Sequence, residues 1–315
     1  MLGKTTFTRV VIITAITAGA ALVIAACIGL AAGSYRSGQL GRAGMSVDQR
    51  ASLSLQGADL VSITSVTESI RVIEGTGDSL EAWLHGTISA VTPDAIPHLA
   101  AGMNGSTADI RVEQDRVVRI GPLWSNLTLQ VSLPAKYSGR LALRTVAGGV
   151  EVADHAYAGI ELSTTSGNVR VGAVSAADFV MHTTSGNLLV KSVAAERSDI
   201  TSVSGAVDVK SITGNVTVGT TSGEVTLACG AMPSGMDVGS TSGGVTVRLP
   251  QDAAFVLDAH STSGIVTCRF PITISESSSG GGRRTLSGTV GSGAAGSAAP
   301  KIAVHTVSGD IRIEH

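Results

Sequence analysis

Apolar and polar residues alternate over short stretches along most of this chain, and the alternation is organised around a recurring glycine that usually follows a serine. Apolar residues stand two and four positions after that glycine, and seven and five positions before it. Because residues two apart lie on the same face of a strand, each unit predicts two half-buried strands joined at the glycine. The repeated glycines are Gly148, Gly167, Gly186, Gly205, Gly223, Gly243, Gly264 and Gly309.

The spacing of these glycines is close to 19 residues, with successive gaps of 19, 19, 19, 18, 20, 21 and 45. A period of this size is typical of solenoids, in which each unit buries its apolar face against the next. Glycine suits the corner because it adopts a positive φ without strain. Only the Gly205 unit departs, with Ser198 seven positions before the glycine. We predict an all-β fold, a β-solenoid of two-strand coils over residues 134–315, with an all-β sandwich as the alternative.

Residues 58–133 are also rich in strand-forming residues but lack the Ser-Gly phrase, so we predict an irregular cap on the stack, with a separate small domain as the alternative. Residues 277–299 are mostly Gly, Ser and Ala and predict a flexible insertion, after which 302–313 forms the final coil. Residues 33–57 are expected to be a stalk linker. Cap strands are predicted at 61–63, 69–73, 80–84, 110–112, 116–120 and 127–133, with a loop at 92–105.

Residues 10–32 contain no charged side chain and as a helix would extend about 35 Å, enough to cross a bilayer core. We predict a single transmembrane helix in the cell membrane, after a cytoplasmic tail of residues 1–9, with the bulk of the chain extracytoplasmic. Flanking Lys and Arg residues are balanced and do not decide the orientation. Two alternatives stay open: a lipoprotein anchored at Cys27, and a signal peptide cleaved near residues 31–33.

Composition excludes several function classes. A formal net charge of −2 and an aromatic content of 3% do not favour nucleic-acid binding. The chain contains no recognisable catalytic, phosphate-binding or paired-cysteine motif. We interpret its repeat-region carboxylates as scattered and solvated, so no enzyme activity, cofactor, catalytic residue or metal site is assigned. The residues in question are Asp199, Asp208, Asp237, Asp252, Asp258 and Asp310.

Three histidines and two cysteines occupy defined positions in the repeat. His182, His260 and His305 all stand four residues before the glycine and should face outward. If residues 277–299 loop out, His260 and His305 become stacked neighbours. Two imidazoles are too few for a dedicated metal site, so we expect an incidental polar ladder. Cys229 and Cys268 belong to coils about 10 Å apart and should be free thiols.

The apolar N-terminal segment, the sequence LTLQVSLPAKYSGRLALRTVAGGVEV at 127–152 and the TTSGNVRV repeat at 164–171 resemble a bacterial family of unknown function. Its members are called candidate adhesins, and some stand beside regulators of cell-envelope stress. The resemblance covers residues 58–315 and implies a β-solenoid-like extracytoplasmic domain without established enzymatic activity.

From the resemblance and the polar corners we expect an adhesin-like interaction or scaffold module. Its partner would be a cell-envelope polymer or a membrane protein, since solenoids form extended binding surfaces. One alternative is an accessory component of the envelope stress response. The other is a polysaccharide-active enzyme, which the scattered carboxylates disfavour.

Overall fold

A computed structural model describes residues 45–89, 96–113, 125–278, 284–291 and 299–315, which all belong to one compact unit, residues 44–315. These residues form 24 strands in one continuous sheet. The first twelve are β1 Met45–Ser54, β2 Leu60–Thr64, β3 Ser69–Gly75, β4 Ser79–Ile88, β5 His98–Asn104, β6 Thr107–Glu113, β7 Ser125–Pro134, β8 Arg140–Thr145, β9 Val150–Val152, β10 His155–Ala156, β11 Gly159–Ser166 and β12 Val169–Ser185. The remainder are β13 Leu188–Ser204, β14 Val207–Val209, β15 Ile212–Ser222, β16 Val225–Ala228, β17 Gly235–Ser242, β18 Val245–Arg248, β19 Phe255–Ser261, β20 Val266–Cys268, β21 Ile272–Ser278, β22 Arg284–Val290, β23 Lys301–Ser308 and β24 Ile311–Glu314.

Parallel pairing stacks these strands into coils, the architecture expected of a β-solenoid. One face runs in the order β6, β2, β8, β11, β12, β13, β15, β17, β23, β19. The second face runs β7, β3, β9, β12, β13, β14, β16, β18, β24, β20. Strands β12 and β13 are long enough to contribute to both faces. Nine inter-strand steps give the stack a length of roughly 43 Å.

The core lies between the two faces and is built from the predicted inward positions. Val209 and Ile200, at plus four and minus five from Gly205, are both fully buried. Ser198, the exception to the apolar pattern, is also fully buried, and the register places it directly beside Phe179 in the neighbouring coil. The large phenyl ring and the small serine therefore share one layer of the core, which explains how the stack accepts a serine there.

The cap predicted at residues 58–133 continues the same stack, because β2 and β3 pair in parallel with β8 and β9. Two expectations in this region were wrong. Residues 45–54 form β1, antiparallel to β4, where a stalk was expected, and residues 98–104 form β5, antiparallel to β6, where a loop was expected. β5 covers the outer edge of β6, and β4 covers the outer edge of β7 with β1 beyond it, so the parallel stack has no open edge there. The strand predicted at 116–120 lies outside the described residues.

The expected tail 1–9, transmembrane segment 10–32 and the first part of the stalk also lie outside the described residues. Within the described ranges, no helix is long and apolar enough to cross a membrane.

The C-terminal coils do not stack in chain order. Strands β23 and β24 lie between the β17/β18 coil and the β19/β20 coil, so the last coil in sequence is next to last in space. Residues 284–290, inside the expected flexible insertion 277–299, form β22, which pairs antiparallel with both β19 and β21. The expectation of a flexible insertion was therefore wrong for these residues. Strand β22, in which Leu286, Gly288 and Val290 alternate with polar residues, forms a hairpin with β21 and covers the edge of β19.

Candidate functional site

The corner between the two faces is a continuous ladder of the repeated glycines. A Cβ added to Gly186 would collide with the backbone carbonyl oxygen of Gly167 in the preceding coil, and the other repeat glycines meet the same obstacle. Four of the eight have a positive φ: 152° at Gly167, 145° at Gly186, 131° at Gly205 and 158° at Gly243. The requirement shared by all eight is therefore the close approach of neighbouring backbones, and the predicted positive φ holds for half of them.

Hydroxyl side chains line the inner side of this corner, three residues before each glycine. All are buried, and Oγ or Oγ1 atoms of six of them have no hydrogen-bond partner among the described residues. In spatial order the column is Thr145, Thr164, Thr183, Ser202, Thr220, Ser240, Thr306 and Ser261, and Ser65, three residues before Glu68, precedes Thr145.

Amide side chains tie neighbouring coils together on the outer side of the corner. The backbone N–H of Asn187 donates to Asn168 Oδ1 at 3.0 Å, and the N–H of Ala206 donates to Asn187 Oδ1 at 3.0 Å. Asp310 plays the same part near the end of the stack, where its Oδ1 accepts from the N–H of Ile265 at 3.0 Å. The corner is thus held by side-chain bridges in addition to the backbone ladder.

A row of exposed serines, here called the serine ridge, follows the outside of the corner, one residue before each repeat glycine except Gly148, which follows Ala147. The carbonyl oxygens of five of these serines accept backbone hydrogen bonds from the adjacent coil, as in Gly186 N–H to Ser204 O at 3.1 Å, so most of the backbone beneath the ridge is held from coil to coil. Six steps between seven coils give the ridge a length of roughly 29 Å. Its members, in spatial order, are Ser166, Ser185, Ser204, Ser222, Ser242, Ser308 and Ser263.

A groove of about 620 Å³, here called the arginine groove, crosses the outer surface of β6, β2, β8 and β11. Three arginines and two carboxylates line it, together with small and apolar side chains. Its lining is Leu60, Ser62, Thr64, Asp109, Arg111, Arg140, Leu141, Ala142, Arg144 and Glu161.

A family model described as Toastrack DUF4097 matches residues 59–314, which include the whole stack from β2 to β24. The chain belongs to the Toastrack DUF4097 family. This agrees with the resemblance recognised in the sequence, which is to a family of unknown function. None of the curated proteins compared matches this Toastrack chain significantly.

One solved structure resembles this Toastrack chain closely enough to bear on its fold. A candidate adhesin from Bacteroides fragilis is 10% identical, with a TM-score of 0.52 over 85% of this chain and 97% of that one. A candidate adhesin from Parabacteroides distasonis is 9% identical, with a TM-score of 0.40 over 86% of this chain and 97% of that one. At these identities the first likeness concerns the fold alone, and the second is too low to support an argument.

The histidine ladder of this Toastrack domain has the predicted stacking at one end. His260 and His305 face each other with ring centroids 5.5 Å apart and an interplanar angle of 14°, and His305 Nδ1 lies 3.7 Å from Asp237 Oδ1. His182 is four coils away along the same face, and its Nδ1 is buried without a hydrogen-bond partner in the described part of the chain. Among the described residues, no group of three or more His, Cys, Asp or Glu side chains could hold a metal ion.

The interpretation of the carboxylates as scattered was wrong for three of them. Asp199, Asp237 and Asp258 all stand six residues before a repeat glycine and occupy the same outward column as Glu161. The shared offset was visible in the sequence.

Asp258 is held as an anion by its neighbours. Partial burial acts to raise its pKa, but the Lys301 ammonium at 3.1 Å, the Ser287 hydroxyl and the nearby His260 outweigh it and lower the pKa below its usual value.

The two cysteines of the described region are free, as predicted. Cys229 is buried, and the loss of solvent raises the pKa of its thiol to about 12. Burial also raises the pKa of Cys268. Neither thiol is therefore an activated nucleophile, because it is the thiolate that reacts.

Proposed function

We propose that this Toastrack chain is a non-enzymatic, adhesin-like interaction module. Residues 10–32 hold it in the cell membrane, and the stack presents its outer corner to a cell-envelope polymer or to a membrane protein. The observation that supports this most directly is the serine ridge, a continuous row of exposed hydroxyls on a backbone fixed from coil to coil.

The chemistry of the ridge suits a polar partner with repeated units. Each hydroxyl can both donate and accept a hydrogen bond, so the row complements the hydroxyl and amide groups of a glycan or an extended peptide. A regular spacing close to 4.8 Å lets several groups of one long partner bind at once, so weak contacts add up along its length. The fixed backbone reduces the entropy that is lost on binding.

The carboxylates support a non-enzymatic module better than a glycan-cleaving one. Glycoside hydrolysis generally needs two carboxyl groups on opposite sides of the bond that is cut. Here Asp199, Asp237 and Asp258 follow one column of a single face, and Asp258 is engaged by Lys301 and Ser287. The Bacteroides fragilis protein with this fold is itself described as a candidate adhesin, which agrees with the proposal.

The experiment is a sedimentation assay of the full chain, reconstituted in lipid vesicles, with isolated cell envelopes that lack it. Two neighbouring ridge residues are changed together, Ser185→Glu with Ser204→Glu. The control adds the same two charges to outward positions of the second face, Leu189→Glu with Thr226→Glu. We expect the ridge variant to lose at least fivefold in retention and the control to stay within twofold of the parent chain. Equal retention of both variants would contradict the proposal.

A further inference from the structure

Small side chains form the floor of the arginine groove, and longer ones form its borders. The register places Ser62 of β2 directly opposite Ala142 of β8. On the same two strands, Leu60 stands opposite Arg140 and Thr64 opposite Arg144, so longer side chains form both rims. The floor is therefore lower than its borders over two neighbouring coils.

Ion pairs close the two ends of this depression. Arg111 is paired with Asp109 on β6, and Arg144 Nη2 contacts Glu161 Oε1 of β11 at 2.9 Å. Each of these arginines has its charge balanced by a carboxylate of the groove itself. With three arginines and two carboxylates in the lining, the groove has a formal charge of 3 − 2 = +1.

The unbalanced charge belongs to Arg140. In the described ranges its guanidinium has no ion pair and no hydrogen bond, although its backbone is fixed at both ends: the N–H donates to Asp59 O at 2.8 Å and the carbonyl oxygen accepts from the Tyr137 hydroxyl at 2.7 Å. The guanidinium lies against Gly159, where an added Cβ would come within 3.3 Å of Nε. Among the described residues, no anion is paired with this guanidinium, although its backbone position is held by hydrogen bonds.

We propose that the arginine groove binds a carboxylate or phosphate group of an envelope polymer, with Arg140 as the anion-binding residue. A guanidinium matches either oxyanion with two parallel hydrogen bonds. The volume of the groove lies within the range of small-molecule sites and so admits one or a few polymer units around the anion. The inference rests on the proposed function, because the anion is taken to belong to the envelope polymer that the module binds.

The test uses the full chain in detergent micelles and isothermal titration with three short oligomers: a polyuronate, a poly(glycerol phosphate) and a neutral glucan. Arg140→Gln removes the charge, and Gly159→Asp leaves Arg140 in place but sets a carboxylate against it. The matched control is Arg197→Gln, an exposed arginine in the same outward column, 3.8 Å from Asp178.

We expect at least one anionic oligomer to bind, and binding to weaken about 10- to 100-fold in both groove variants, the range for a charged hydrogen-bonded pair. The affinity of Arg197→Gln for the anionic oligomers should stay within twofold of the parent chain. Any binding of the neutral glucan should be the same in the parent chain and in Arg140→Gln. The tighter anionic oligomer identifies the source of the anion. Equal weakening by Arg140→Gln and Arg197→Gln, or no binding of either anionic oligomer, would overturn the inference.

The envelope assay separates this inference from the proposed function. If the parent chain is retained on envelopes but does not bind anionic oligomers through Arg140, the groove inference fails and the interaction module stands. If oligomers bind through Arg140 but envelopes do not retain the chain, the proposed function fails and the groove is still an anion site.

Discussion

Replacing one corner glycine by alanine should destabilise the whole stack. In Gly186→Ala the new Cβ would collide with Gly167 O, and the residue would have to keep a φ of 145° that side chains rarely adopt. A sparsely populated backbone conformation costs about 1–3 kcal/mol. Moving the two coils apart to relieve the collision also lengthens the bond from Gly167 N–H to Ser185 O, now 3.1 Å, and the bond from Asn187 N–H to Asn168 Oδ1.

Each weakened hydrogen bond contributes about 1 kcal/mol, so the expected loss is about 3–5 kcal/mol in total. For a domain of this size that corresponds to a fall in melting temperature of roughly 6–20 °C. The assay is thermal unfolding of the full chain in detergent, followed by far-ultraviolet circular dichroism. Urea unfolding of the same samples gives the free energy directly.

Two further variants separate the causes. Gly223→Ala meets the same backbone obstacle, Gly205 O, without a positive φ, and should lose the steric part alone. Gly219→Ala has no atom within 4 Å of the new Cβ and should be neutral or slightly stabilising. The reasoning is refuted if Gly186→Ala and Gly219→Ala have the same melting temperature. Neither the positive φ nor the close backbone approach at Gly186 would then contribute to stability.

Four other substitutions test the packing described above. Asn187→Ala removes the acceptor of an inter-coil bond and should lose about 0.5–1.5 kcal/mol in urea unfolding; no change would mean that the bridge is not formed in solution. Ser198→Ala removes a fully buried hydroxyl that has no hydrogen-bond partner among the described residues and should raise stability by about 1 kcal/mol, whereas a loss of stability would reveal a partner. Val209→Asp should lose more than about 3 kcal/mol while Asp208→Val, on the outer face, stays soluble and folded; the reverse result would invert the strand register.

The regular part of the fold could be predicted because its cause is local. Alternation fixes which face each residue occupies, and the period fixes which residues stack. The same template is present in β2 and β3 with Glu68 in place of the glycine: Val61 and Ile63 precede Glu68 by seven and five residues, and Ile70 and Val72 follow it by two and four. A pattern that requires glycine does not match this coil. Its Glu68 carboxylate accepts hydrogen bonds from the Ser65 and Thr67 hydroxyls.

The role of Asn187 could not be read from the sequence in the same way. It looks like a decoration of the corner, but its side chain accepts a bond from the next coil. The arginine groove is a second case, since Ser62 and Ala142 are 80 residues apart in sequence and meet only because β2 stacks on β8. Such contacts depend on which coils become neighbours. Because the repeats are alike, the sequence shows that any coil can stack on another but not in which order they stack.

The position of β23 and β24 between two coils that precede them in sequence creates a competition within the chain. β19 follows β17 and β18 directly and carries the same inward pattern as β23, the strand that occupies the edge of β17. Two segments of one chain therefore compete for one edge, and the later one must win. A chain that ends before residue 301 loses the intended occupant and leaves β19, or a strand from another molecule, as the remaining partner for that edge. Residues 301–314 thus decide which strand occupies the edge of β17 and β18.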